Sequence, residues 1–451
     1  LNFSDLHKDI LKWKKEFGDI ITIWMPSPCV IVNDYELLKE YFVKQGEIFA
    51  GRPDLNINND LLGGAYGLVF QNNSWYKSQR RYTLHVLRDF GLGRPILQDT
   101  IIDQANKMIQ LLKEFNGEPV ELTPYFTTAV GNVIFQLVFG YVREHNDKEL
   151  HMFKHNLDSV LEMYNSLMGT LVEVSLNFKK LDHLLGGHYT EGSKKNDEIL
   201  DYLRKEITQH KKTIDYESEP RDFIDSYIQE MRRREKTGNI EEFTDQQLLI
   251  SIYDLFGAGL ETTATTSRTF IFYMLHYPEV QAKIHAEIDN VIGRESPITM
   301  ADQARLPYLN ATIQELQRIA VLLPLNLIHI VLEDVQMGKY KIPKGTMVVP
   351  QMQSVHLDGK IFSDPERLIP ERHLDENGAF RKDDRIMPFS LGKRACLGES
   401  LARMEIFLFI SYLFQKFEFQ PEEPGKLPPF EYTSGLIRAP KPFNCRVVLR
   451  K

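Results

Sequence analysis

The chain has 451 residues, of which 43% are hydrophobic and 26% are charged, so it is long enough to bury a large globular core. Its formal net charge of -8 argues against general nucleic-acid binding. The three cysteines, Cys29, Cys396 and Cys445, stand at very unequal spacings, which excludes a disulfide framework and a repeated Cys-x-x-Cys zinc site. We expect Cys29 and Cys445 to be small buried hydrophobic residues.

The N-terminal region predicts a small sheet followed by a mostly helical stretch. Residues 20–33 indicate two short strands around a Pro-Ser-Pro turn. Asp34 then predicts the cap of a helix that runs through Lys44. Residues 51–74 are rich in Gly, Asn and Asp, which is typical of a long loop that carries function. From 75 to 292 the pattern is overwhelmingly helical.

One helix is much longer than the others. It begins at Thr244, where Thr-Asp-Gln-Gln forms a capping box, and its apolar spacing continues to Leu275, shortly before Pro278. At about 1.5 Å per residue its length is about 50 Å, enough to cross a whole domain. A second helix is predicted over 308–321.

Short strands are predicted after the helical region. They cover Val335–Ile342 and Met347–Pro350, with Pro343-Lys-Gly345 as the turn between them. No internal repeat, low-complexity segment or linker is visible in the sequence. The pattern therefore favours one α-rich domain with small sheets.

The run from Phe389 to Gly398 places one cysteine in a setting that suits a thiolate bound to iron. Gly392 permits a tight backbone bulge, and Gly398 permits the close approach of a flat cofactor. Arg394 supplies a permanent positive charge for a carboxylate two residues from the sulfur. The apolar pattern that follows predicts a helix, and the N-terminus of a helix favours the thiolate form of Cys396.

The middle of the long helix carries residues that are unusual in a buried helix. Gly259 costs about 1 kcal/mol against alanine, and the hydroxyls of Thr262 and Thr263 compete for backbone carbonyls. One interpretation is a close helix crossing at Gly259, with the threonines bonded to their own helix. The other is a groove that admits dioxygen, with Thr262 as its hydrogen-bond donor and Glu261 as a source of protons.

A third motif pairs Glu315 with Arg318 at a spacing that puts both on one helix face. In isolation it would be an exposed surface pair worth well under about 1 kcal/mol. Arg372, in Pro-Glu-Arg-His, offers a second guanidinium that would complete a structural network around the cysteine loop.

These motifs, in this order and at these separations, resemble the cytochrome P450 family of haem-thiolate monooxygenases, over essentially the whole chain. Four short stretches are similar in sequence to the animal microsomal branch that handles drugs, steroids and fatty acids: Asp254–Gly259, Leu323-Pro324, Ile342–Gly345 and Met387–Phe389. The resemblance implies a mainly α fold with small β-sheets. It implies one triangular catalytic domain over 1–451, with haem between the long central helix and the cysteine loop.

The resemblance also assigns roles to individual residues. Cys396 would be the axial thiolate of haem b and the ligand of its iron, within the loop that contains Phe389, Gly392 and Gly398. Thr262 with Glu261 would deliver protons to the oxygen that is being reduced. Arg394 and His329 match positions that hold the haem propionates.

Two further arginines match propionate positions of the family. Arg52, in Ala-Gly-Arg-Pro, is one of them, and Arg80 is the other. The family places a Trp four residues before the second arginine, whereas here Trp75 has Gln79 at that spacing and Tyr76 stands four before Arg80. Either Tyr76 takes the place of the tryptophan, or Trp75 keeps a role there; a packing aromatic is the alternative for Trp75.

The substrate site is carried over by position alone. The residues expected over the haem are mostly apolar: Phe70, Leu255, Ala258, Leu325 and Leu436. They imply a lipophilic substrate, although such residues also serve as ordinary core. The segment around 150–190 is expected to form a mobile roof.

The family implies electrons from NADPH through an NADPH-cytochrome reductase, with cytochrome b5 as an optional partner. Lys393 and Arg403 either belong to the docking surface for an acidic reductase or are ordinary solvated charges. Two alternatives remain open: a haem-thiolate isomerase or dehydratase that acts on peroxides, and a haem carrier or gas sensor without turnover. The Glu261-Thr262 pair argues against the first, and the second would need neither this pair nor an apolar pocket.

No run in the chain approaches the roughly 18 apolar residues of a membrane span. The sequence begins at Leu1 rather than Met, so we expect that an upstream piece was removed. The branch resemblance implies an endoplasmic-reticulum protein on the cytosolic face, in contact with the membrane surface, whose N-terminal anchor is missing from this chain.

Overall fold

The structure, a computed structural model, describes residues 6–25, 27–72, 74–91, 96–145, 147–238, 242–433 and 435–450. Helices dominate these residues, and the prediction of a mainly α protein with small sheets is confirmed. The α-helices are α1 (Leu6–Phe17), α2 (Tyr35–Leu38), α3 (Asn56–Leu62), α4 (Trp75–Gly91), α5 (Ile96–Lys113), α6 (Thr123–Phe139), α7 (Lys148–Asn165), α8 (Leu167–Val174), α9 (His188–Thr213), α10 (Phe223–Thr237), α11 (Asp245–His276), α12 (Pro278–Val291), α13 (Pro307–Ala320), α14 (Gln353–His356) and α15 (Glu399–Lys416).

The strands form three small sheets. They are β1 (Ile20–Met25), β2 (Ser27–Val32), β3 (Pro119–Glu121), β4 (His329–Ile330), β5 (Val335–Met337), β6 (Tyr340–Ile342), β7 (Met347–Pro350), β8 (Phe417–Pro421) and β9 (Asn444–Leu449). One sheet has the order β1-β2-β7-β4, a second has the order β3-β9-β8, and β5 pairs with β6. In the first sheet β1 and β2 are antiparallel, with Ile20 opposite Val32, and β2 is parallel to β7.

The two strands expected over 20–33 are confirmed, but Ser27 and Pro28 of the predicted turn belong to β2, and Pro26 lies outside the described residues. The single strand expected over 335–342 is wrong. Gly338 takes a left-handed conformation, with φ of 58°, and the segment folds back on itself as the hairpin β5-β6. Glycine reaches this conformation without steric cost, and the apolar alternation changes phase around it, from Val335 and Met337 to Tyr340 and Ile342, so the strand ends there.

The loop expected over 51–74 is wrong in part, because it contains α3. The first amides of α3 are capped from a distant part of the chain: the carboxylate of Glu173 accepts hydrogen bonds from the backbone N–H groups of Asn56 and Ile57, both at 3.0 Å. A helix of this length is marginal without tertiary contacts. Because the capping residue is so far away in the sequence, no local pattern predicted the helix α3.

The long helix α11 spans Asp245–His276, and the prediction is confirmed within one residue at each end. The hydroxyl of Thr244 accepts the amide hydrogen of Gln247 at 3.1 Å, as a cap should. The reciprocal half of the predicted capping box is not formed, because the side chain of Gln247 bonds to the backbone of Gly67 and to Ser251 instead.

The cap predicted at Asp34 is also present. The carboxylate of Asp34 accepts a hydrogen bond from the backbone N–H of Leu37 at 3.0 Å, at the start of α2.

The chain divides into two compact units whose segments alternate along the sequence. One unit, Leu1–Gly51, Ile101–Ala129 and Thr262–Lys451, holds the three sheets and α12 to α15. The other, Arg52–Thr100 and Val130–Glu261, is built from helices and their connections. That the two units act as a single catalytic domain stays a prediction. Within the described ranges, every helix is too short or too polar to cross a membrane.

Candidate functional site

The cysteine loop is closed by a backbone hydrogen bond from Cys396 N to Phe389 O at 2.8 Å. Inside the loop Gly392 has φ of 74°, and a Cβ atom on it would lie 1.8 Å from the carbonyl oxygen of Phe42. Only glycine fits at this position, because both the backbone conformation and the space exclude a side chain. The loop ends at the first turn of α15, so Cys396 lies beside a helix N-terminus, where a thiolate is favoured.

The three cysteines differ sharply in accessibility. Cys29 and Cys445 are buried, as expected; burial raises the pKa of Cys29 to about 12 and also raises the pKa of Cys445. Cys396 is exposed, and a Cβ atom on Gly398 would meet no atom within 4 Å. Of the three thiols, only that of Cys396 is accessible to a bound group, so Cys396 is the cysteine that suits the haem iron.

Two candidate propionate ligands lie in the same unit and contact neighbouring carbonyls. The Nε of Arg394 donates to Ala50 O at 2.7 Å, and Nδ1 of His329 is 2.7 Å from Phe49 O. Because a carbonyl oxygen only accepts, Nδ1 of His329 carries a hydrogen. Both side chains are buried, at 7% and 2% exposed. A buried guanidinium and imidazole in one unit suit the carboxylates of a haem.

The Glu315 network is fully formed inside the same unit. Glu315 accepts two hydrogen bonds from Arg318, at 2.8 and 2.9 Å, and one from Arg372 Nε at 2.9 Å. Both Glu315 and Arg318 are 0% exposed, so the surface-pair interpretation is wrong. The sequence reasoning missed a fourth member: Nε2 of His373 lies 2.7 Å from Glu315 Oε2.

This network ties α13 to the chain that leads toward the cysteine loop. The Nη1 atom of Arg318 donates to the carbonyls of His356 at 2.6 Å and Pro365 at 2.7 Å. Burial alone would raise the pKa of Glu315, but hydrogen bonds from Arg318 and His373 bring it down to about 2. Glu315 is therefore ionised at neutral pH, and its charge is compensated by Arg318, Arg372 and the hydrogen bond with His373.

The middle of α11 has an accessible stripe on an otherwise buried helix. Leu255 and Thr262 are partly accessible and Ala258 is exposed, whereas Phe256 and Leu260 between them are buried. Spacings of three and four residues put the accessible residues on one face. A small residue in the centre leaves room for a ligand along that face.

Gly259 lies against α6, since a Cβ atom on it would be 2.6 Å from Ile134 Cδ1. This contact accounts for the glycine by packing alone. The backbone carbonyl of Thr262 accepts a hydrogen bond from the hydroxyl of Thr266, one turn later, at 2.8 Å. The role of the groove in admitting dioxygen stays a prediction.

Glu261 is held by a cation on α7. Its Oε2 atom is 3.0 Å from Lys154 Nζ, and Lys154 also bonds to Asp158 on the next turn of α7. Burial works against the charge of Lys154, but the two carboxylates raise its pKa. Burial raises the pKa of Asp158. No local pattern pointed to this partner, because Lys154 and Glu261 lie on helices that are far apart in the sequence.

Arg52 is buried in the second unit, at 4% exposed, and its Nε donates to Val69 O at 3.3 Å. The arginine therefore lies beside the segment that carries Phe70, which is itself partly buried.

The helix α4 carries the other propionate candidate. Gln79 is buried and committed to packing, since it donates to Glu242 O and accepts from Tyr227 at 2.9 Å. Arg80 and Tyr76 share a face of α4, with Tyr76 at 7% exposed and Trp75 partly buried. That Tyr76 or Trp75 contacts a haem propionate stays a prediction.

The remaining predicted residues lie in the first unit. Leu325 packs against the core cluster that contains Ile21 and Val349, and Leu436 is 39% exposed. Lys393 pairs with Glu47 at 3.2 Å across the surface.

Arg403 bonds to Glu399 on its own helix at 2.9 Å, and its guanidinium lies 4.7 Å from the ring centre of Phe389. This contact joins α15 to the start of the cysteine loop, so Arg403 has a packing role whether or not it also contacts a partner.

Comparison with known proteins adds independent information. A family model described as Cytochrome P450 matches residues 2–447. A probable cytochrome P450 CYP36A1 of Caenorhabditis elegans is 40% identical over 443 residues, which is 98% of this chain and 90% of that protein. Cytochrome P450 2C23 of Rattus norvegicus is 38% identical, over 100% of this chain and 90% of its own length. Cytochrome P450 2C5 of Oryctolagus cuniculus is 37% identical, over 98% and 90%.

Proposed function

Because the chain belongs to the cytochrome P450 family of haem-dependent monooxygenases, we propose that it inserts one oxygen atom from O2 into a lipophilic small molecule. The candidate classes are xenobiotics, steroids and fatty acids, and the electrons come from NADPH through a flavoprotein reductase. The observation that carries the proposal is the exposed Cys396 in a loop closed by its own backbone and shaped around Gly392.

The residues on the cysteine side hold the cofactor. Haem bound through the Cys396 thiolate supplies the oxygen-activating chemistry. Arg394 and His329 bind its carboxylates, with Arg52 and Arg80 as further donors. The Glu315 network holds the backbone that leads toward the loop, since its Arg318 donates to the carbonyls of His356 and Pro365.

The residues on α11 handle protons and substrate. Thr262 offers a hydroxyl on the accessible stripe, and the adjacent Glu261 connects through Lys154 to the partly exposed Asp158. Ionisable groups in contact form a route by which a proton reaches the helix from the surface. The apolar surface of Leu255 and Ala258 supports a lipophilic substrate.

The setting of the enzyme follows from the family. We infer an endoplasmic-reticulum protein on the cytosolic face, associated with the membrane surface. Its electron donors are NADPH-cytochrome reductase and, as an optional partner, cytochrome b5. Lys393 and Arg403, both near the cysteine loop, belong to the docking surface in this proposal.

The test is consumption of NADPH and oxygen by the purified holoprotein with added reductase, over a panel of steroids, fatty acids and drug-like molecules. We expect substrate-dependent consumption and an oxygenated product. Turnover of hydroperoxides without any oxygenated product would favour an isomerase or dehydratase instead. The Cys396→Ser variant should lose the thiolate-type spectrum of the reduced carbon monoxide complex; if the variant keeps that spectrum, Cys396 is not the ligand.

A further inference from the structure

A buried histidine and a buried aspartate join the end of α9 to the start of α10. His210 lies in the last turn of α9 and is 6% exposed, and Asp222 caps α10 and is 1% exposed. Nε2 of His210 lies 3.1 Å from Oδ2 of Asp222. The other ring nitrogen, Nδ1, lies 2.8 Å from the backbone carbonyl oxygen of Glu206, one turn earlier in α9. Each ring nitrogen of His210 therefore faces an oxygen atom at hydrogen-bond distance.

These two contacts determine the protonation state of the His210 ring. A carbonyl oxygen only accepts hydrogen bonds, so Nδ1 carries a hydrogen. In a neutral imidazole Nε2 would then have a lone pair, which would face the lone pairs of the Asp222 carboxylate at 3.1 Å. The opposite tautomer has the same defect at the carbonyl oxygen of Glu206. Both contacts are satisfied when the His210–Asp222 pair holds one additional proton.

The surroundings of Asp222 favour a carboxylate paired with an imidazolium. Its Oδ1 atom accepts the backbone N–H of Asp225 at 2.9 Å in the first turn of α10, where the helix dipole stabilises a negative charge. Gly140, just after α6, packs against the same carboxylate, since a Cβ atom on it would lie 3.0 Å from Asp222 Oδ2. The additional proton is therefore placed on His210, and the ion pair is enclosed by three helices.

We propose that His210 and Asp222 form a pH-sensitive contact between α9 and α10. The protonated pair holds the last turn of α9 and the connection 214–222 in place, and loss of the proton weakens this hold. The inference does not depend on the proposed function, because no contact with haem or substrate enters it.

The charged and titratable groups around this joint are already paired with one another: Arg221 with Asp225, Glu206 with Tyr141, and Lys211 with Asp245 of α11. The helix α6 contributes the uncharged ring of Phe139, whose centre is 6.4 Å from that of His210. Burial disfavours the imidazolium, but the hydrogen bond with Asp222 and the charge of that carboxylate outweigh it, so the pKa of His210 is raised above its ordinary value of 6.5.

The sign of the pH dependence follows from this direction. The folded state binds the proton more tightly than the unfolded chain does, so protonation stabilises the fold. The contribution of the pair is fully present below the ordinary pKa of 6.5 and is lost as the pH rises through the raised pKa of the folded state.

The first test observes the His210 ring by nuclear magnetic resonance, in the reduced carbon monoxide complex of holoprotein labelled on the nitrogens of its histidines. The His210 signals are those that disappear in His210→Gln. We expect both ring nitrogens to carry a hydrogen at pH 6.5 and the ring to titrate above that value. A titration midpoint at or below 6.5 would overturn the proposal.

The second test is hydrogen exchange, read by mass spectrometry on peptides that cover 205–222 in the same holoprotein. After correction for intrinsic exchange, protection in the wild type should fall at least about threefold from about pH 6 to about pH 9, because the folded state loses its bound proton. His210→Gln keeps an amide donor that does not titrate and should lack this fall. Protection that is independent of pH in the wild type, or an equal fall in His210→Gln, would contradict the proposal.

The matched control is His85→Gln, because His85 and Asp89 form a similar pair at 3.3 Å on the exposed surface of α4. It should keep the wild-type fall at 205–222, and loss of the fall in this variant would assign the effect to general surface charge. Zn²⁺ is the competing occupant, because Asp225 offers a second carboxylate near the pair. Binding of one Zn²⁺ per holoprotein that His210→Gln abolishes would overturn the proposal, since a metal ion would then take the place of the proton.

Discussion

Replacing Glu315 with Gln removes the central charge of the buried network and keeps the shape of the side chain. The carboxylate is 0% exposed and meets Arg318, Arg372 and His373 at 2.7 to 2.9 Å. Its pKa is lowered from 4.5 to about 2, which corresponds to about 3 kcal/mol, since a tenfold change in an ionisation constant is worth about 1.4 kcal/mol. Loss of one partner from a buried ion pair costs a similar 3–5 kcal/mol or so.

We therefore expect Glu315→Gln to lower the free energy of unfolding by about 3 kcal/mol at neutral pH. Because the folded-state pKa lies below the ordinary value of 4.5, this contribution is present above 4.5 and is lost as the pH falls toward 2. The difference in the free energy of unfolding between the wild type and Glu315→Gln should therefore be the same at neutral pH and at about pH 5.

The assay is urea unfolding followed by far-ultraviolet circular dichroism, with the reduced carbon monoxide spectrum as a second probe of the cysteine ligand. Glu423→Gln is the control, because Glu423 pairs with Lys426 at the same three-residue spacing but on the surface, and its loss should have no measurable effect. A loss below about 1 kcal/mol for Glu315→Gln would refute the reasoning, since the buried charges would then not depend on one another.

Two further variants test the proton route and the cysteine loop. Thr262→Ala should lower the yield of product per NADPH by about tenfold or more and release peroxide, because a proton donor is lost. Thr269→Ala, whose hydroxyl only bonds a carbonyl of its own helix, should keep the coupling of the wild type, and equal coupling in both variants would remove Thr262 from the proton route. Gly392→Ala should lose most of its haem, measured as haem per protein, because its Cβ atom would lie 1.8 Å from Phe42 O. Gly359→Ala meets no atom within 4 Å and should keep its haem; full haem retention by Gly392→Ala would show that the loop tolerates a side chain.

The elements that could be predicted from the sequence are those whose ends are marked locally. The helix α11 begins at a Thr244 cap and stops before Pro278, so both of its ends were visible. The helix α3 was missed because Glu173 caps it from another part of the chain. The hairpin β5-β6 carried a local mark that was overlooked, since the apolar alternation shifts by one residue after Gly338, from Met337 to Tyr340.

The same distinction applies to the candidate site. The spacing of Phe389, Gly392, Arg394 and Cys396 within one short loop pointed to its chemistry, because a tight loop brings neighbouring residues together. His373 was overlooked although it follows Arg372 directly; a third hydrogen-bonding side chain beside a suspected buried carboxylate was the available signal.

The spacing of the polar residues of α11 is a further signal that can be read from the sequence. Gln247, Asp254, Glu261 and Arg268 recur every seven residues on a largely apolar helix, so they share one slowly drifting face.

The four side chains reach three different targets. Gln247 and Asp254 hold the Gly67–Phe70 segment, Glu261 meets Lys154 of α7, and Arg268 donates to Pro440 O at 2.9 Å. A buried helix cannot keep such groups unpaired, so polar residues at a heptad spacing on an apolar helix predict polar partners elsewhere in the chain. The accessible stripe of Leu255, Ala258 and Thr262 lies beside this polar row on the helix, so the contacts that anchor α11 also limit how the stripe can turn.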